Sequence, residues 1–427
     1  MAAVALVAAG AGCERLSDPG PATDAGAGED PARAAADRAA ADARAAQAAA
    51  DARLVQGAPL VGGDREGART AVRCSECHSP VFTDWLASDH ARSSRSPMYL
   101  AMRRVTGPAA CDPCHAPIIS LLEPGDPVID QGVSCDVCHA LKDVALDGPR
   151  TRLTFGFAED IKWGTLCDGQ EHYFHKTACS PIFQAGRLCA ACHRWSISPA
   201  PGRTIPVLIE YDEWLASPAA AAGVTCQACH MPRAQAEVAT GWKRTSGVGH
   251  HWMMGAAGEL QRGAIGVTLS LEEREGALLA EVALKNDGTA HAAPAGLPGR
   301  QLVLQVATLD TAGRVLERTE RTYARALVDA AGKEVPFYAA QAAGPDTRIK
   351  AGETRRESFS FRAEGAAALS AELLWRRSSP EIAAALGIAL EERHLVEARA
   401  PLGPPTPGRA RALPGKITAA PRRAPAP

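Results

Sequence analysis

The cysteines and histidines of this chain follow one repeated spacing. Five Cys-x-x-Cys-His motifs account for most of its 13 cysteines. We number them motifs 1 to 5 in chain order: Cys74–His78, Cys111–His115, Cys135–His139, Cys189–His193 and Cys226–His230. Chance gives roughly 0.01 such motifs in a chain of this length and composition, so five occurrences indicate one shared chemical purpose.

The spacing matches the geometry of covalent haem attachment. Two thioethers hold the vinyl edges of a haem, and the histidine directly after the second cysteine lies beneath the iron as its proximal ligand. The motifs therefore predict five covalently attached haem c groups. Their attachment residues are Cys74, Cys77, Cys111, Cys114, Cys135, Cys138, Cys189, Cys192, Cys226 and Cys229, and their proximal iron ligands are His78, His115, His139, His193 and His230.

Zinc binding and disulfide exchange are the alternative readings of these cysteines. Two Cys-x-x-Cys pairs can form a four-cysteine zinc site, and one pair can form a redox disulfide. Neither explains a histidine directly after every pair, and five pairs do not divide evenly into zinc sites. The pattern therefore favours haem.

The histidines outside the motifs are candidates for the second axial position of each iron. An iron with two histidine ligands only exchanges electrons, whereas an open iron can bind a substrate. We expect His90 to ligate, at least one of His172 and His175 with His175 favoured, one or both of His250 and His251, and His291 reaching across from a turn between strands. His394 reads as an ordinary strand residue.

One ligand from each cluster gives four distal histidines for five irons. Either both members of an adjacent pair ligate, or a methionine takes one place, or one iron is open. An internal repeat bears on this count: the segment from Asp84 to His90 resembles the segment from Glu213 to Ala219, where alanine replaces the histidine. We hypothesise that the second copy has lost a distal ligand.

Two further cysteines and the N-terminal segment bear on location. Cys167 and Cys179 could close a loop as a disulfide, which suits an oxidising compartment, or remain two free buried thiols. Haem attachment through thioethers also takes place outside the cytoplasm. Residues 1–13 read as an export signal that leads to Cys13, whose acylation stays open. The sequence therefore predicts a periplasmic or exported protein. Its contact with a membrane would come only through a lipid anchor on Cys13.

Composition excludes several partner classes. The 427 residues carry a net charge of −2, so no basic field favours nucleic acid or anionic lipid. No stretch reaches the about 20 apolar residues that a membrane-spanning helix requires. Residues 14–65 are rich in alanine and read as a helical or disordered spacer, and residues 66–260 hold all five motifs with little sustained periodicity.

Residues 261–403 show a different pattern, with apolar residues at every second position and turn residues between the runs. This pattern predicts about seven antiparallel strands and an immunoglobulin-like β-sandwich. Ser379 and Pro380 predict the start of one short helix within it. The Pro- and Arg-rich tail 404–427 reads as disordered. The predicted fold class is α+β multidomain: an irregular and α-helical multihaem domain followed by a sandwich.

Several motifs resemble those of the cytochrome c-554 type of multihaem cytochrome. They are the five haem motifs, the Gly-Val-Ser and Gly-Val-Thr stretches before Cys135 and Cys226, the two Trp-Leu-Ala-Ser elements and the segment from His250 to Gly255. The turn from Asn286 to Gly296, Arg300 and the stretch from Asp346 to Ile349 resemble the sandwich attached to many such cytochromes. The resemblance implies an electron carrier, because members of this family act mainly in electron transfer. Some relatives of the family reduce nitrite or oxidise hydroxylamine.

The expected function is electron transfer through five haems to or from other periplasmic or membrane-bound redox proteins. No residue is assigned a catalytic role. The alternative is an oxidoreductase that reduces or oxidises small nitrogen or sulfur compounds at a five-coordinate haem. A third possibility is that the sandwich docks a partner and the protein is chiefly a scaffold.

Overall fold

A computed structural model of the chain describes residues 60–63, 68–123, 126, 128–146, 151–169, 172–253, 259–403, 417–418 and 420–421. The chain divides into two units, Met1–Ala48 and Ala49–Pro427, and every described residue belongs to the second. The predicted export signal, Cys13 and most of the predicted spacer lie outside the described residues. No helix in these described ranges is long and apolar enough to cross a membrane.

The motif region consists of short helices and short strands. Its helices are α1 (Ala71–Ser75), α2 (Ser79–Leu86), α3 (Pro97–Thr106), α4 (Pro108–His115), α5 (Cys135–His139), α6 (Arg187–His193), α7 (Glu210–Leu215), α8 (Pro218–Ala221) and α9 (Cys226–His230). Four single 3₁₀ turns lie between them: His90–Arg95, Ile119–Leu121, Ile129–Gln131 and Pro181–Gln184. Thr70, Ser96 and Ser217 cap α1, α3 and α8 through their side chains.

The described residues of this region also form nine strands, which the expectation of an irregular and α-helical domain did not include. They are β1 (Leu60–Gly63), β2 (Leu141–Ala145), β3 (Arg152–Phe155), β4 (Ile161–Gly164), β5 (Lys176–Cys179), β6 (Trp195–Ala200), β7 (Arg203–Leu208), β8 (Arg233–Ala239) and β9 (Trp242–Gly249). Strand β1 lies in the predicted spacer and pairs in parallel with β3, and its Val61 packs against a cluster of buried apolar residues. Most of these strands have six residues or fewer, which is too short to show a clear period-two pattern in the sequence.

The sandwich has its strands where the alternation predicts them. They are β10 (Gly266–Arg274), β11 (Ala277–Lys285), β12 (Gln301–Leu309), β13 (Val315–Val328), β14 (Ala342–Asp346), β15 (Thr354–Arg362), β16 (Ala368–Arg376) and β17 (Glu392–Pro401). Helix α10 (Glu259–Ala264) precedes them, the 3₁₀ turn Phe337–Ala339 lies before β14, and α11 (Pro380–Leu386) begins after Ser379, whose hydroxyl accepts from the Ile382 amide at 3.2 Å. These eight strands compare with the about seven that the sequence predicts, and Gly344 and Pro345 interrupt the apolar pattern of β14.

The strands form two antiparallel sheets, β15-β11-β10 and β14-β13-β12-β16-β17. Two short strands, β18 (Ile417–Thr418) and β19 (Ala420–Pro421), extend the sheets beside β10 and β17. The prediction of disorder is therefore wrong for these four residues, because open sheet edges offer free backbone donors and acceptors to a passing segment. Apolar side chains of both sheets share one core that includes Leu269, Leu304 and Leu373, all buried.

The sandwich packs on the hairpin of β6 and β7. Trp195 and Phe337 meet edge to face with ring centroids 4.9 Å apart, within a cluster that also holds Val207 and Leu327. Arg325 of β13 donates to the carbonyl of Pro206 at 2.8 Å and to that of Val207. These apolar and polar contacts fix the sandwich against the motif region.

Candidate functional site

Each motif lies on a helical turn. Residues three apart share one face of a helix, so both cysteines of a motif project to the same side and the histidine follows one residue later. Motifs 3 and 5 are the whole of α5 and α9, and motifs 2 and 4 are the last residues of α4 and α6. Motif 1 begins in the last turn of α1 and ends at His78, directly before α2. Local backbone geometry therefore presents two thiols and one imidazole together five times.

A cavity of about 2660 Å³ lies among the five motifs. A pocket for one small ligand is roughly 300–1,000 Å³, so this cavity has room for several large groups. Its walls are mainly apolar and include the five motif histidines together with His90, His172, His175, His251 and His291. The thiols of nine motif cysteines also line it, all but that of Cys111.

Backbone carbonyls orient most of the motif histidines. The Nδ1 atoms of His78 and His139 lie 2.5 Å and 2.6 Å from the carbonyl oxygens of Val238 and Trp163. His115 and His230 make the same contact with the carbonyls of Ser93 at 3.1 Å and Met253 at 3.4 Å. A carbonyl oxygen only accepts, so each Nδ1 carries the proton and donates. The Nε2 lone pair is thereby left for a metal ion.

Four motif histidines face a second histidine at nearly one distance. The ring centroids are 6.2 Å apart for His78 and His175, and 6.1 Å apart for His139 and His251. They are 6.4 Å apart both for His193 with His90 and for His230 with His291. Metal–imidazole bonds are about 2 Å long, so two imidazoles on opposite sides of one metal ion have centroids roughly 6 Å apart. The residues present therefore fit one iron between the members of each pair.

Burial keeps two of these facing histidines, His90 and His251, neutral. Loss of solvent, with His193 as the next cause, lowers the pKa of His90 to about 4. Burial and the neighbouring His139 lower the pKa of His251 to about 4 in the same way. A histidine must be neutral to ligate a metal ion, so both side chains are in the required form at neutral pH.

Motif 2 differs from the other four. Its His115 has no histidine across from it in the described part of the chain, which includes all twelve histidines. Instead, Tyr99 stacks on His115 with ring centroids 4.7 Å apart, which is shorter than two metal–nitrogen bonds allow. Tyr99 therefore packs beside the imidazole rather than across an iron. Met98 of the same helix is buried and lines the cavity.

The remaining candidate histidines are occupied elsewhere. His250 pairs with Asp84 at 3.1 Å and its ring lies against Trp252, while its neighbour His251 faces His139. His172 contacts the rings of Tyr173 and Phe174 rather than a motif histidine. His394 pairs with Glu372 at 2.6 Å on the sandwich surface. Sequence spacing cannot make these distinctions, because adjacent histidines differ only in the direction that the fold gives them.

The two Trp-Leu-Ala-Ser segments have the same local structure. Trp85 donates to the carbonyl of Val133 at 2.8 Å, just before motif 3, and Trp214 donates to the carbonyl of Val224 at 2.9 Å, just before motif 5. The first copy leads to His90, which faces His193, whereas the second has Ala219 at the equivalent position. His230 of motif 5 faces His291 of the sandwich instead. The motif histidine that faces no other histidine in the described structure is thus His115.

Contacts between thiols show which motifs are neighbours. The thiols of three cysteine pairs lie close enough to shift each other's pKa: Cys74 with Cys135, Cys114 with Cys192, and Cys189 with Cys226. Burial raises the pKa of Cys138 to about 12, with nearby Cys192 as a further cause. Motif 1 is therefore next to motif 3, and motif 4 is next to motifs 2, 3 and 5.

Two structural features hold the facing histidines His175 and His291 in place. A disulfide joins Cys167 and Cys179 around the loop that carries His175, which confirms the predicted bond. Glu213 of α7 binds Arg348 of the sandwich at 2.5 Å and accepts from the Ala292 amide at 3.0 Å, directly after His291. The side chain of Arg348 is only 4% exposed, so this ion pair is well shielded from water.

Sequence reasoning missed a polar network behind motif 2. Arg103 donates to Asp112 at 2.7 and 2.9 Å, and the Tyr99 hydroxyl donates to the same carboxylate at 2.7 Å. Burial and the bond to Asp112 raise the pKa of Tyr99 well above its ordinary value. The available signal was an aspartate inside the motif, between Cys111 and Cys114. The network holds Tyr99 flat against His115.

Comparisons with known proteins bear on the fold. No protein-family model matches the chain, and no curated protein matches it. Among solved structures, the chain is similar to a penta-haem cytochrome c552 from Thermochromatium tepidum, with a TM-score of 0.61 and 21% sequence identity. The match covers 77% of this chain and 99% of that one. At this level of identity the likeness shows a shared mixed α and β fold.

Proposed function

We propose that the protein is an exported multihaem c-type cytochrome that transfers electrons through five covalently attached haems. The observation that carries this proposal is the set of four histidine pairs with centroids 6.1 to 6.4 Å apart. When bound, each haem would supply an iron that cycles between Fe(III) and Fe(II). The similar fold of a penta-haem cytochrome supports the same function.

The chain contributes attachment, orientation and burial. Ten cysteines would hold the haems, with proximal ligands His78, His115, His139, His193 and His230 and distal ligands His175, His251, His90 and His291 facing four of them. The Nδ1 atoms of His78, His115, His139 and His230 are fixed by carbonyls, and burial keeps His90 and His251 neutral. These residues would keep the same ligands on their irons in both oxidation states, so electron transfer would need little reorganisation. The disulfide and the thioether bonds support a location outside the cytoplasm.

The neighbour relations of the motifs give the proposed route. Electrons would pass from motif 1 through motif 3 to motif 4, and from there to motif 2 or motif 5. Physiological partners would be other redox proteins that approach these ends.

We also propose the immunoglobulin-like class for the sandwich. Its support is the strand order: β10, β11 and β15 form one sheet and β13, β12, β16 and β17 the other, as in sandwiches of the immunoglobulin type. The narrower cytochrome c-554 type has support only from the sequence motifs.

The decisive test combines a haem count with electron paramagnetic resonance. Protein matured in a host competent for cytochrome c assembly should give five haems per chain in a pyridine haemochrome assay. The oxidised protein should show four low-spin signals from bis-histidine irons. A colourless protein, or one that carries zinc, contradicts the proposal.

His115 favours a second candidate function. An iron on this imidazole would lack a histidine on its far side, which suits a reductase or oxidase of small nitrogen or sulfur compounds. Carbon monoxide added to the reduced protein should then bind to one haem in five. If no carbon monoxide binds until Met98→Ala is introduced, Met98 is the sixth ligand and this second function fails.

A further inference from the structure

Three arginines of the sandwich surround one tryptophan at the cavity wall. The guanidinium carbons of Arg300, Arg377 and Arg393 lie 5.6, 5.4 and 5.1 Å from the ring centroid of Trp375. All three arginines line the cavity that holds the motif histidines. A cluster of cations is unusual beside a mainly apolar cavity, so each member needs a counter-charge.

Two of these arginines have carboxylate partners. Arg377 binds Glu391 at 2.5 Å and lies 3.6 Å from Asp89, and Arg393 binds Glu391 at 2.5 Å. Asp89 is also bound by Arg92 at 3.1 Å. Asp89 and Glu391 are thus engaged by these pairs.

Arg300 differs from its neighbours. In the described part of the chain the one hydrogen bond of its guanidinium runs from Nη1 to the carbonyl of Ala295 at 2.8 Å. Its Nε is buried and has no acceptor. Burial first, and then Arg377, lower its pKa to about 10, so it is still a cation at neutral pH. Glu210 lies near enough to raise this pKa but makes no hydrogen bond to the guanidinium in the described structure. A desolvated guanidinium that donates to no carboxylate is costly, which points to a missing acidic partner.

The position of Arg300 is fixed by the backbone beside it. Gly296 has φ +101°, and a Cβ atom there would lie 2.1 Å from Nη1 of Arg300. Glycine therefore lets the guanidinium lie directly against the chain that follows His291. Arg300 lines the cavity that holds the motif histidines, and Asp89, the residue before His90, is close enough to raise its pKa.

We propose that Arg300 binds a propionate of the haem between His90 and His193. This inference rests on the proposed function, because it requires haem in the cavity. Every haem carries two propionate carboxylates, and a planar guanidinium binds a carboxylate through two parallel hydrogen bonds. The sandwich would then raise the midpoint potential of this haem through Arg300, in addition to covering the haem.

The sign of the effect follows from charge. A cation near a haem disfavours the more positive Fe(III) state, so its removal stabilises Fe(III). Arg300→Gln should lower the midpoint potential of one haem and shift its propionate bending band in resonance Raman spectra. Arg300→Lys keeps the charge but not the paired hydrogen bonds, so the potential should stay near that of the wild type while the band shifts.

Arg393→Gln is the matched control. It removes one arginine from the same tryptophan, but Arg377 still holds Glu391, so the propionate band should not change. Equal shifts in Arg300→Gln and Arg393→Gln would show a general charge effect and overturn the proposal. Unchanged bands and potentials in Arg300→Gln would overturn it as well. If this variant does not mature, an unshifted band in Arg300→Lys is the contrary result.

Two further readouts separate the possible causes. A free anion on Arg300 would make the potential depend on dialysis against acetate or phosphate, whereas a propionate on a covalently attached haem would not. Glu210 has a buried, unpartnered Oε2 near Arg300. If Glu210→Gln shifts the band as Arg300→Gln does, Arg300 pairs with Glu210 and the proposal fails. The haem count is measured first, so that loss of haem, which defeats the proposed function, is distinguished from a missing propionate contact.

Discussion

The adjacent imidazoles of His250 and His251 have different partners. His251 is buried and faces His139, whereas His250 pairs with the Asp84 carboxylate. The chain offers a second such comparison in His175, which faces His78, and His172, which stacks on neighbouring aromatic rings. At the scale of single residues, the assignment of distal ligands can therefore be tested with paired substitutions.

We predict that His251→Ala adds one high-spin signal to the electron paramagnetic resonance spectrum of the oxidised protein. The iron on His139 would lose its second imidazole, while His250→Ala would leave the signal count unchanged. His175→Ala and His172→Ala should behave in the same way for the iron on His78. A high-spin signal in the His250→Ala or His172→Ala variant would reverse the assignment.

The motif residues could be predicted from the sequence, and the pairing of distal ligands could not. Two cysteines three residues apart with a histidine beside them form their unit within one helical turn, so local spacing determines it. His291 and His230 are 61 positions apart, and only the packing of the sandwich brings them together. Tyr99 was missed because stacking on His115 has no fixed sequence spacing.

At the scale of elements, two connections fix distal histidines. The loop closed by Cys167 and Cys179 carries His175, and α7 carries Glu213, which binds the segment after His291. Sandwich strands could be predicted because a sheet with one face toward a core imposes alternation. The strands of the motif region could not, because most have only four to six residues and their burial depends on the cavity.

We predict that replacing both Cys167 and Cys179 by serine lowers the free energy of unfolding by about 3 kcal/mol, the cost of opening a loop of this length. The more specific effect is on the iron of His78, which should become partly high-spin as His175 loses its fixed position. Irons on His139, His193 and His230 serve as internal controls. An unchanged spectrum at His78 would show that the loop does not need its disulfide.

We predict that Glu213→Ala lowers the free energy of unfolding by about 2 kcal/mol, because the buried Arg348 loses one carboxylate partner and keeps the other, Asp346, at 2.8 Å. It should also loosen His291 and add high-spin character at the iron of His230. Asp212→Ala is the matched control on the same helix: its pair with Arg194 has exposed fractions of 47% and 45% and should contribute under about 1 kcal/mol. Denaturant unfolding and spin state measure the two effects. Equal losses in both variants would contradict the special role of Glu213.

At the scale of the whole molecule, the two parts differ in what fills them. The sandwich has a continuous apolar core of its own, whereas the motif region encloses a large cavity between small clusters of buried side chains. The low aromatic content, 5% of residues, agrees with a core that cofactors complete. Stability should therefore depend on haem in one part and not in the other.

We predict that protein produced without haem attachment is cleaved throughout residues 68–253 by a low dose of protease, while a fragment close to residues 259–403 survives. The matured protein should resist cleavage in both parts. Mass spectrometry of the fragments gives the boundaries. If the haem-free motif region is as resistant as the sandwich, its side chains suffice for folding without haem.

The position of His291 has a consequence for the order of assembly. Ribosomes make the chain from its N-terminus, so motif 5 exists before the sandwich does. A haem attached to motif 5 before the sandwich has folded would lack its second imidazole. Its iron would then be open to oxygen and small molecules until folding of the sandwich brings His291 across from His230.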